Sequence, residues 1–241
     1  MLNFVDMLKG VNHGSVLEHG TVYMLMPCTT HFSGCINFYA NDKYTKVVDC
    51  KIGNEYFYAI TTNYRVLFNG QDNPFTDVWQ DLEELQCEPT EFHEKRVTVR
   101  FICTIGISRE FNRHRVHSIT EQSTRYCNYS KDKFGNEVTF IKPLWYVNRL
   151  DRKDYAGSAE ENYEIALGQA EQNYFALLNC NWKPQQAREV LPLNTATELI
   201  HTAFVSDWKH FFHLRTAVSA HPQAYELANP LHEEFKKLKL V

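Results

Sequence analysis

Residues 110–126 read EFNRHRVHSITEQSTRY, and this stretch decides how the chain is interpreted. Arg113, His114 and Arg115 are three consecutive side chains that can carry positive charge. Neighbouring side chains on a helix diverge by about 100°, so these three cannot share one solvated face. Because planar guanidinium groups suit phosphate oxygens, the run predicts contacts with more than one ligand.

The second half of the stretch has the spacing of a binding segment. Glu121, Ser123 and Arg125 alternate as they would on extended backbone, where they would offer an acceptor, a hydroxyl and a cation to one molecule. A plainer interpretation stays open at this point. The stretch is also compatible with a charged surface helix, followed by a helix for which Ser118 and Glu121 form a capping box.

The composition indicates one folded domain, residues 1–241, with 44% hydrophobic and 14% aromatic residues. No apolar run approaches the roughly 18 residues that a membrane span needs, and no signal-peptide pattern opens the chain. The net charge of −4 argues against a nucleic-acid polymer as partner, so the cationic run predicts a small anionic ligand. Seven cysteines without a Cys-x-x-Cys pair predict reduced thiols in a cytoplasmic protein, with neither disulfides nor a zinc site.

Periodicity predicts both strands and helices. Strands are expected at residues 21–26, 35–40, 45–49, 56–60, 64–68 and 96–104. Helices are expected from the start to residue 11, at 75–86, along the apolar stripe at 163–178, at 195–214 and in a last region after Pro222.

Four ordered patches give the chain a family resemblance. The Arg113-His114-Arg115 run, seven further residues and Ser123 resemble the signature of the flavin-dependent thymidylate synthases, and residues 121–126 extend the match. The other patches are HGSVLEH at 13–19, AREVLP at 187–192 and DWKHFFHLR at 207–215. The resemblance implies conversion of dUMP to dTMP with FAD, NADPH and methylenetetrahydrofolate.

The resemblance also implies an architecture. We expect an α+β fold in which helices pack on a mostly antiparallel sheet, and a homotetramer whose active sites draw on more than one subunit. Residues 27–92 separate two patches that lie closer together in compact members of the family. They are interpreted as a β-rich insertion that covers a sheet edge or adds oligomer contacts.

For the cofactor, the resemblance assigns flavin contacts to Ser15, Arg113, His114, Arg115, Glu121 and His210. His13 matches a histidine close to the flavin and the folate, where it is expected to stack or to relay a proton. The spacing of Ser15 and Glu18 also fits a purely structural capping box.

For the substrate, the resemblance assigns dUMP contacts to Glu110, Arg113, Glu121, Gln122, Ser123, Thr124, Arg125, Arg188 and Arg215. Arg215 is expected to favour ionisation of the uracil at N3, which activates C5, and Ser123 is expected near the reactive face. Arg215 could instead be a cation that extends to solvent at a helix end, and Arg188 an ordinary surface charge.

Three departures from the family pattern bear on these assignments. Glu110 stands where the family has Gln, so this carboxylate needs a proton or a cationic partner such as Arg109 or Arg113. Phe204 and Ser206 replace polar residues before His210. The family's N-terminal Ala-Arg-x-Ser segment has no counterpart, which predicts a shortened version with a weaker flavin site.

Three other functions are kept beside thymidylate synthesis. The same residues would serve another flavin-dependent modification at C5 of dUMP, such as hydroxymethylation. A nucleotide-binding homologue without activity, or a binding module built on the cationic run, would need no bound flavin.

Overall fold

The computed structural model describes residues 7–8, 14–29, 33–68, 84–148 and 155–241. Its strands are β1 (Thr21–Pro27), β2 (Lys46–Ile52), β3 (Glu55–Asn63), β4 (Arg96–Thr104), β5 (Ser118–Glu121) and β6 (Ala196–Phe204). Its helices are α1 (Gly14–Leu17), α2 (Ser33–Asn41), α3 (Tyr64–Phe68), α4 (Ile105–Phe111), α5 (Ala159–Asn179), α6 (Pro184–Ala187), α7 (Val205–Arg215) and α8 (Pro222–Lys237). Helices combine with antiparallel sheets, so the predicted α+β class is confirmed.

The first sheet has the strand order β1-β3-β2. Ile60 of β3 lies opposite Met24 on one side and Val47 on the other. Side chains alternate along β1, so Met24 and its neighbours two residues away are buried against Cys35 and Tyr39 of α2. This cluster is the apolar core of the first sheet.

The second sheet has the strand order β4-β6-β5, with the long strand β6 in the middle. Phe101 of β4 lies opposite Leu199 of β6, and both point to the face that α4, α7 and α8 cover. Trp208 and Phe211 of α7 and Phe235 of α8 are completely or almost completely buried there. The second sheet therefore carries its own core, separate from that of the first.

The two sheets are joined by a buried guanidinium. Arg96 opens β4 and donates to the carbonyl oxygen of Glu18 (2.8 Å), to Ser118 Oγ (3.1 Å) and to Thr21 Oγ1 (3.3 Å). Burial lowers the pKa of Arg96 to about 10, so it stays charged at neutral pH. This one side chain ties α1, β1 and β5 together.

Two predicted strands are helices. Residues 35–40 lie in α2 because Cys35 and Tyr39, four positions apart, both face the first core. Residues 64–68 form α3, which begins where Asn63 Oδ1 accepts a hydrogen bond from the backbone N–H of Val66 at 3.0 Å. Short apolar runs fit both periods, and the contacts with the rest of the chain decide between them.

The helix predicted for residues 195–214 is wrong in its first half and confirmed in its second. Its first half is the strand β6, and the helix α7 begins only at Val205. Buried positions alternate over residues 197–201 of β6, so Leu199 is in the core while Ile200 lies on the opposite face.

Other predictions stand or lie outside the described residues. The strands at 21–26, 45–49, 56–60 and 96–104 are confirmed as β1 to β4, and the stripe at 163–178 lies in α5. Ala166 of that stripe is exposed, whereas Leu167 and Tyr174 are buried. Most of the helix predicted up to residue 11 and most of the one at 75–86 lie outside the described residues.

Candidate active site

The Arg-His-Arg run forms a turn between α4 and β5. The helix α4 begins after Thr104, whose Oγ1 accepts from the backbone N–H of Ile107 at 3.1 Å, and it ends at Phe111. In the turn that follows, Arg113 and Arg115 are exposed while His114 between them is 5% exposed. The helical interpretation of the run is wrong, and so is the capping box, because Ser118 and Glu121 belong to β5.

Arg215, the last residue of α7, contacts Glu110 and His114. Its Nη1 donates to a carboxylate oxygen of Glu110 at 2.9 Å, and its Nη2 donates to the backbone carbonyl of the same residue. Its Nε donates to Nε2 of His114 at 3.0 Å. The cationic partner of Glu110 is therefore Arg215, not Arg109 or Arg113 as the sequence suggested.

His114 is neutral in this arrangement. Burial, together with the charges of His117, Arg215, His210 and Arg113, lowers the pKa of His114 to about 3. The ring lies 6.0 Å from that of His210, which is on the exposed side of α7. Two residues assigned to the flavin thus meet here, although 96 positions in the sequence separate them.

A cavity of about 330 Å³ opens beside this network. Its lining includes four residues assigned to dUMP that are adjacent in the sequence, Glu121 to Thr124, and also Arg188 from the short 3₁₀ turn after α6. Arg188 Nη1 donates to Thr124 Oγ1 at 3.2 Å. Predicted substrate residues from two distant patches therefore line one cavity.

Three further residues at this cavity were missed by the sequence analysis. Ser108 Oγ donates to one oxygen of Glu121 at 2.6 Å, and Asn112 Nδ2 donates to the other at 3.1 Å. Arg109 lines the same cavity and a contiguous one that also contains Arg188. Ser108 and Arg109 lie on the turn of α4 just before the quoted stretch, so their helical spacing relative to Asn112 was the available signal.

The remaining predicted site residues lie apart from the cavity lining. Arg215 and Glu110 are not among the lining residues, and exposed Arg125 stacks on its neighbour Tyr126 with 4.4 Å between the guanidinium carbon and the ring centre. Ser15 is exposed on α1, which packs against β5. His13 lies outside the described residues.

The HGSVLEH patch has a structural role in its second half. Ser15 lies inside α1, so it is not the capping residue that the spacing suggested. Glu18 is buried and forms an ion pair with Arg65, and His19 bridges Thr202 Oγ1 (2.8 Å) and Thr120 Oγ1 (2.9 Å). These contacts attach the end of α1 to α3 and to the second sheet.

A pair of buried histidines lies under the Arg-His-Arg turn. Nδ1 of His117 and Nδ1 of His201 are 3.0 Å apart, so one ring donates to the other. Burial lowers the pKa of His117 to about 4 and that of His201 to about 2. Both rings are therefore neutral in the folded chain at any pH near neutrality.

We expect acid to destabilise the fold through this pair. Unfolded histidines bind protons below about pH 6.5, whereas the folded pair does not until about pH 4, so stability falls as the pH drops. This pair alone should lower the free energy of unfolding by about 2 kcal/mol between pH 6 and pH 5 in urea titrations. His201→Phe should lose less over that interval, and exposed His213→Gln should follow the wild type. Equal stability of the wild type at both pH values would contradict this expectation.

Neither a metal cluster nor a membrane helix is found in the described ranges. No three His, Cys, Asp or Glu side chains there are grouped to hold a metal ion. No described helix has the length and apolar character that crossing a bilayer requires. All seven cysteines are free thiols, and Cys28 is exposed.

Comparison with known proteins matches the part of the chain that contains the second sheet and the cavity. Residues 88–239 match the family described as thymidylate synthase complementing protein, and the match spans the second sheet, the Arg-His-Arg turn and the cavity. Because these residues are more than half of the chain, it belongs to that family.

Curated relatives carry a more specific name. A flavin-dependent thymidylate synthase of Tropheryma whipplei (strain TW08/27) is 31% identical over 132 residues, which cover 52% of this chain and 55% of that protein. The enzyme of the same name from Pyrococcus furiosus is 29% identical over 135 residues, 56% of this chain and 52% of that one. A probable flavin-dependent thymidylate synthase of Paramecium bursaria Chlorella virus 1 is 27% identical over 149 residues, 61% and 68% of the two chains. The chain spans about half the length of the first two relatives.

Proposed function

We propose that the protein is a flavin-dependent thymidylate synthase with the fold of that family, which methylates dUMP to dTMP. Methylenetetrahydrofolate would donate the carbon, and NADPH would reduce the bound FAD. The observation that carries the proposal is the cavity in which Glu121 to Thr124 meet Arg109 and Arg188. Its volume of about 330 Å³ lies within the range of small-ligand sites.

The cavity residues suit a nucleoside monophosphate. Arg109 and Arg188 supply two guanidinium groups for the phosphate, whose oxygens a planar fork can bind in pairs. Glu121 is fixed by Ser108 and Asn112, so it presents acceptors in a defined orientation. Ser123 and Gln122 complete the lining with neutral donors and acceptors that suit a sugar or a base edge.

The Arg-His-Arg turn suits the diphosphate of FAD. Arg113 and Arg115 are exposed, and in the described part of the chain no carboxylate forms an ion pair with either of them. His114 between them is neutral, so the turn holds two cations and one uncharged ring. Reduced FAD bound there would supply the hydride that converts the one-carbon unit on uracil C5 into a methyl group. His210 and Ser15 would lie at the margin of that site.

The oligomeric state is part of the same proposal. Arg113 and Arg115 project from the surface of a single chain, where a ligand would be covered on one side only. A homotetramer in which neighbouring subunits complete each site would exclude water from the reacting atoms. The region before β4 would then be available for contacts between subunits.

Removal of the two exposed arginines should weaken FAD binding. Each charge-assisted hydrogen bond contributes about 1.5–3 kcal/mol, so Arg113→Ala/Arg115→Ala should lower the affinity for FAD at least about a hundredfold. Titration of each protein with FAD, followed by flavin fluorescence, measures this. Arg100→Ala removes an exposed arginine paired with Glu198 and is the matched control, which should bind FAD like the wild type.

The product of the reaction tests the function itself. Wild-type protein supplied with dUMP, methylenetetrahydrofolate, NADPH and FAD should form a product heavier than dUMP by one methylene group. A hydroxymethylated product would instead identify another C5 modification. Failure of the wild type to bind flavin would contradict the proposal altogether.

A further inference from the structure

The guanidinium of Arg215 is held by three hydrogen bonds. Arginine has five N–H donors in a rigid plane, and here Nε binds His114 while Nη1 and Nη2 both bind Glu110. The Arg215 side chain is only 11% exposed and that of Glu110 is 38% exposed. The buried cation is thus neutralised by one carboxylate and oriented by two residues of the α4 end and the turn.

This bond decides which nitrogen of His114 carries the proton. Arginine can only donate, so Nε2 of His114 must be the acceptor and must be unprotonated. The neutral ring then carries its single proton on Nδ1, as a donor. No described group accepts a hydrogen bond from Nδ1, and the ring is packed against Phe211 with centres 4.9 Å apart.

The charged neighbours favour the same state. His117 and His210 lie within 6.0 Å of the His114 ring, and Arg113 and Arg215 are adjacent cations. Glu110, the nearest acid in the network, is already bound to Arg215. A second proton on His114 would break the bond from Arg215 and add a positive charge among cations.

We propose that Arg215 and Glu110 are positioning residues, which hold His114 in its neutral Nδ1–H tautomer so that the ring donates a hydrogen bond to the cofactor at the Arg-His-Arg turn. The inference rests on the proposed function for the identity of that cofactor. It gives Arg215 a role through His114 in addition to the uracil contact that the family resemblance assigns to it. It also explains why a carboxylate at position 110 is compatible with an anionic ligand nearby, since its charge is matched by Arg215.

Nitrogen NMR of the histidine rings tests the tautomer directly. Solid-state spectra of protein labelled with ¹⁵N-histidine, with His114→Gln to assign the signals, should show a protonated Nδ1 and an unprotonated Nε2 near pH 7. In Glu110→Gln/Arg215→Met, which removes the donor without leaving a buried carboxylate unpaired, signal from a protonated Nε2 should appear. A protonated Nε2 in the wild type, or an unchanged spectrum in the double variant, would overturn the inference.

FAD titration of the same proteins tests what the donor does. The double variant should bind FAD about three- to tenfold more weakly, because one hydrogen bond makes a contribution of that size to affinity. Arg100→Lys alters an arginine on β4 that is paired with Glu198, and it should leave both spectrum and affinity unchanged. A tautomer switch with unaltered FAD affinity would overturn the contact with the cofactor. An absence of FAD binding by the wild type would overturn the proposed function together with that contact, while the positioning role would stand on the spectrum.

Discussion

Replacement of Arg109 and Arg188 together by alanine should lower dTMP formation at limiting dUMP by about 10²- to 10⁴-fold. Both residues line the candidate substrate cavity, and they are the cations there. Each charge-assisted hydrogen bond to a phosphate contributes about 1.5–3 kcal/mol, which corresponds to about 10- to 100-fold in affinity. Initial rates at several dUMP concentrations measure the effect, which should fall mainly on KM because the phosphate does not react.

FAD binding separates this role from a general disturbance of the site. The double variant should bind FAD as tightly as the wild type, since the flavin is assigned to Arg113 and Arg115. The single variants Arg109→Ala and Arg188→Ala should each show part of the loss. If dUMP kinetics are unchanged in the double variant, the cavity is not the substrate site.

Trp208→Ala should destabilise the fold by about 3–5 kcal/mol, the range for loss of a large aromatic side chain from a core. The Trp208 side chain is completely buried, and its ring lies 5.1 Å from that of Phe211 and 5.5 Å from that of Phe235. Its Nε1 donates to the carbonyl of Val97 at 3.1 Å, so the substitution also leaves a buried acceptor unpaired. Urea unfolding at pH 7.5 measures the free energy.

Two further variants serve as comparisons for the effect of Trp208→Ala on the free energy of unfolding. Trp182→Ala removes a tryptophan that is 47% exposed, and it should change the free energy of unfolding by no more than about 0.5 kcal/mol. Trp208→Phe keeps most of the packing and should lie between the two. A loss below about 1 kcal/mol for Trp208→Ala would mean that α7 contributes little to the core.

The sequence predicted secondary structure correctly where the spacing of apolar residues fits only one kind of element. Strand β4 was predicted at its observed bounds because polar and apolar residues alternate along it. Strand β1 was predicted at almost its observed bounds because it is a short apolar and β-branched run between turn residues. The prediction was wrong where the spacing of apolar residues fits both a helix and a strand. Leu199 and Ala203 are four positions apart and suggest a helix, yet they also lie on one face of a strand. The antiparallel pairing of β6 with β4 and β5 decides that case, and pairing depends on residues far away in the sequence.

In the candidate site, too, the sequence identified neighbouring residues correctly and missed a contact between distant ones. Glu121 to Thr124 are adjacent in the sequence, and the motif identified them as a group. The partner of Glu110 was assigned to Arg109 or Arg113, which are its neighbours, whereas it is Arg215, 105 residues away. Only the packing of α7 beside α4 brings that pair together. Contacts of this kind carry no local sequence signal.

The junction at Arg96 has a mechanical consequence. The first sheet and the second have separate apolar clusters, and the guanidinium of Arg96 connects them through directional hydrogen bonds. Such bonds fix the angle between two bodies but add little buried apolar surface. Because each sheet packs on its own apolar cluster, we expect the two sheets to open as separate cooperative units in hydrogen exchange. The family match begins at residue 88, so it includes the second sheet and leaves the first sheet outside.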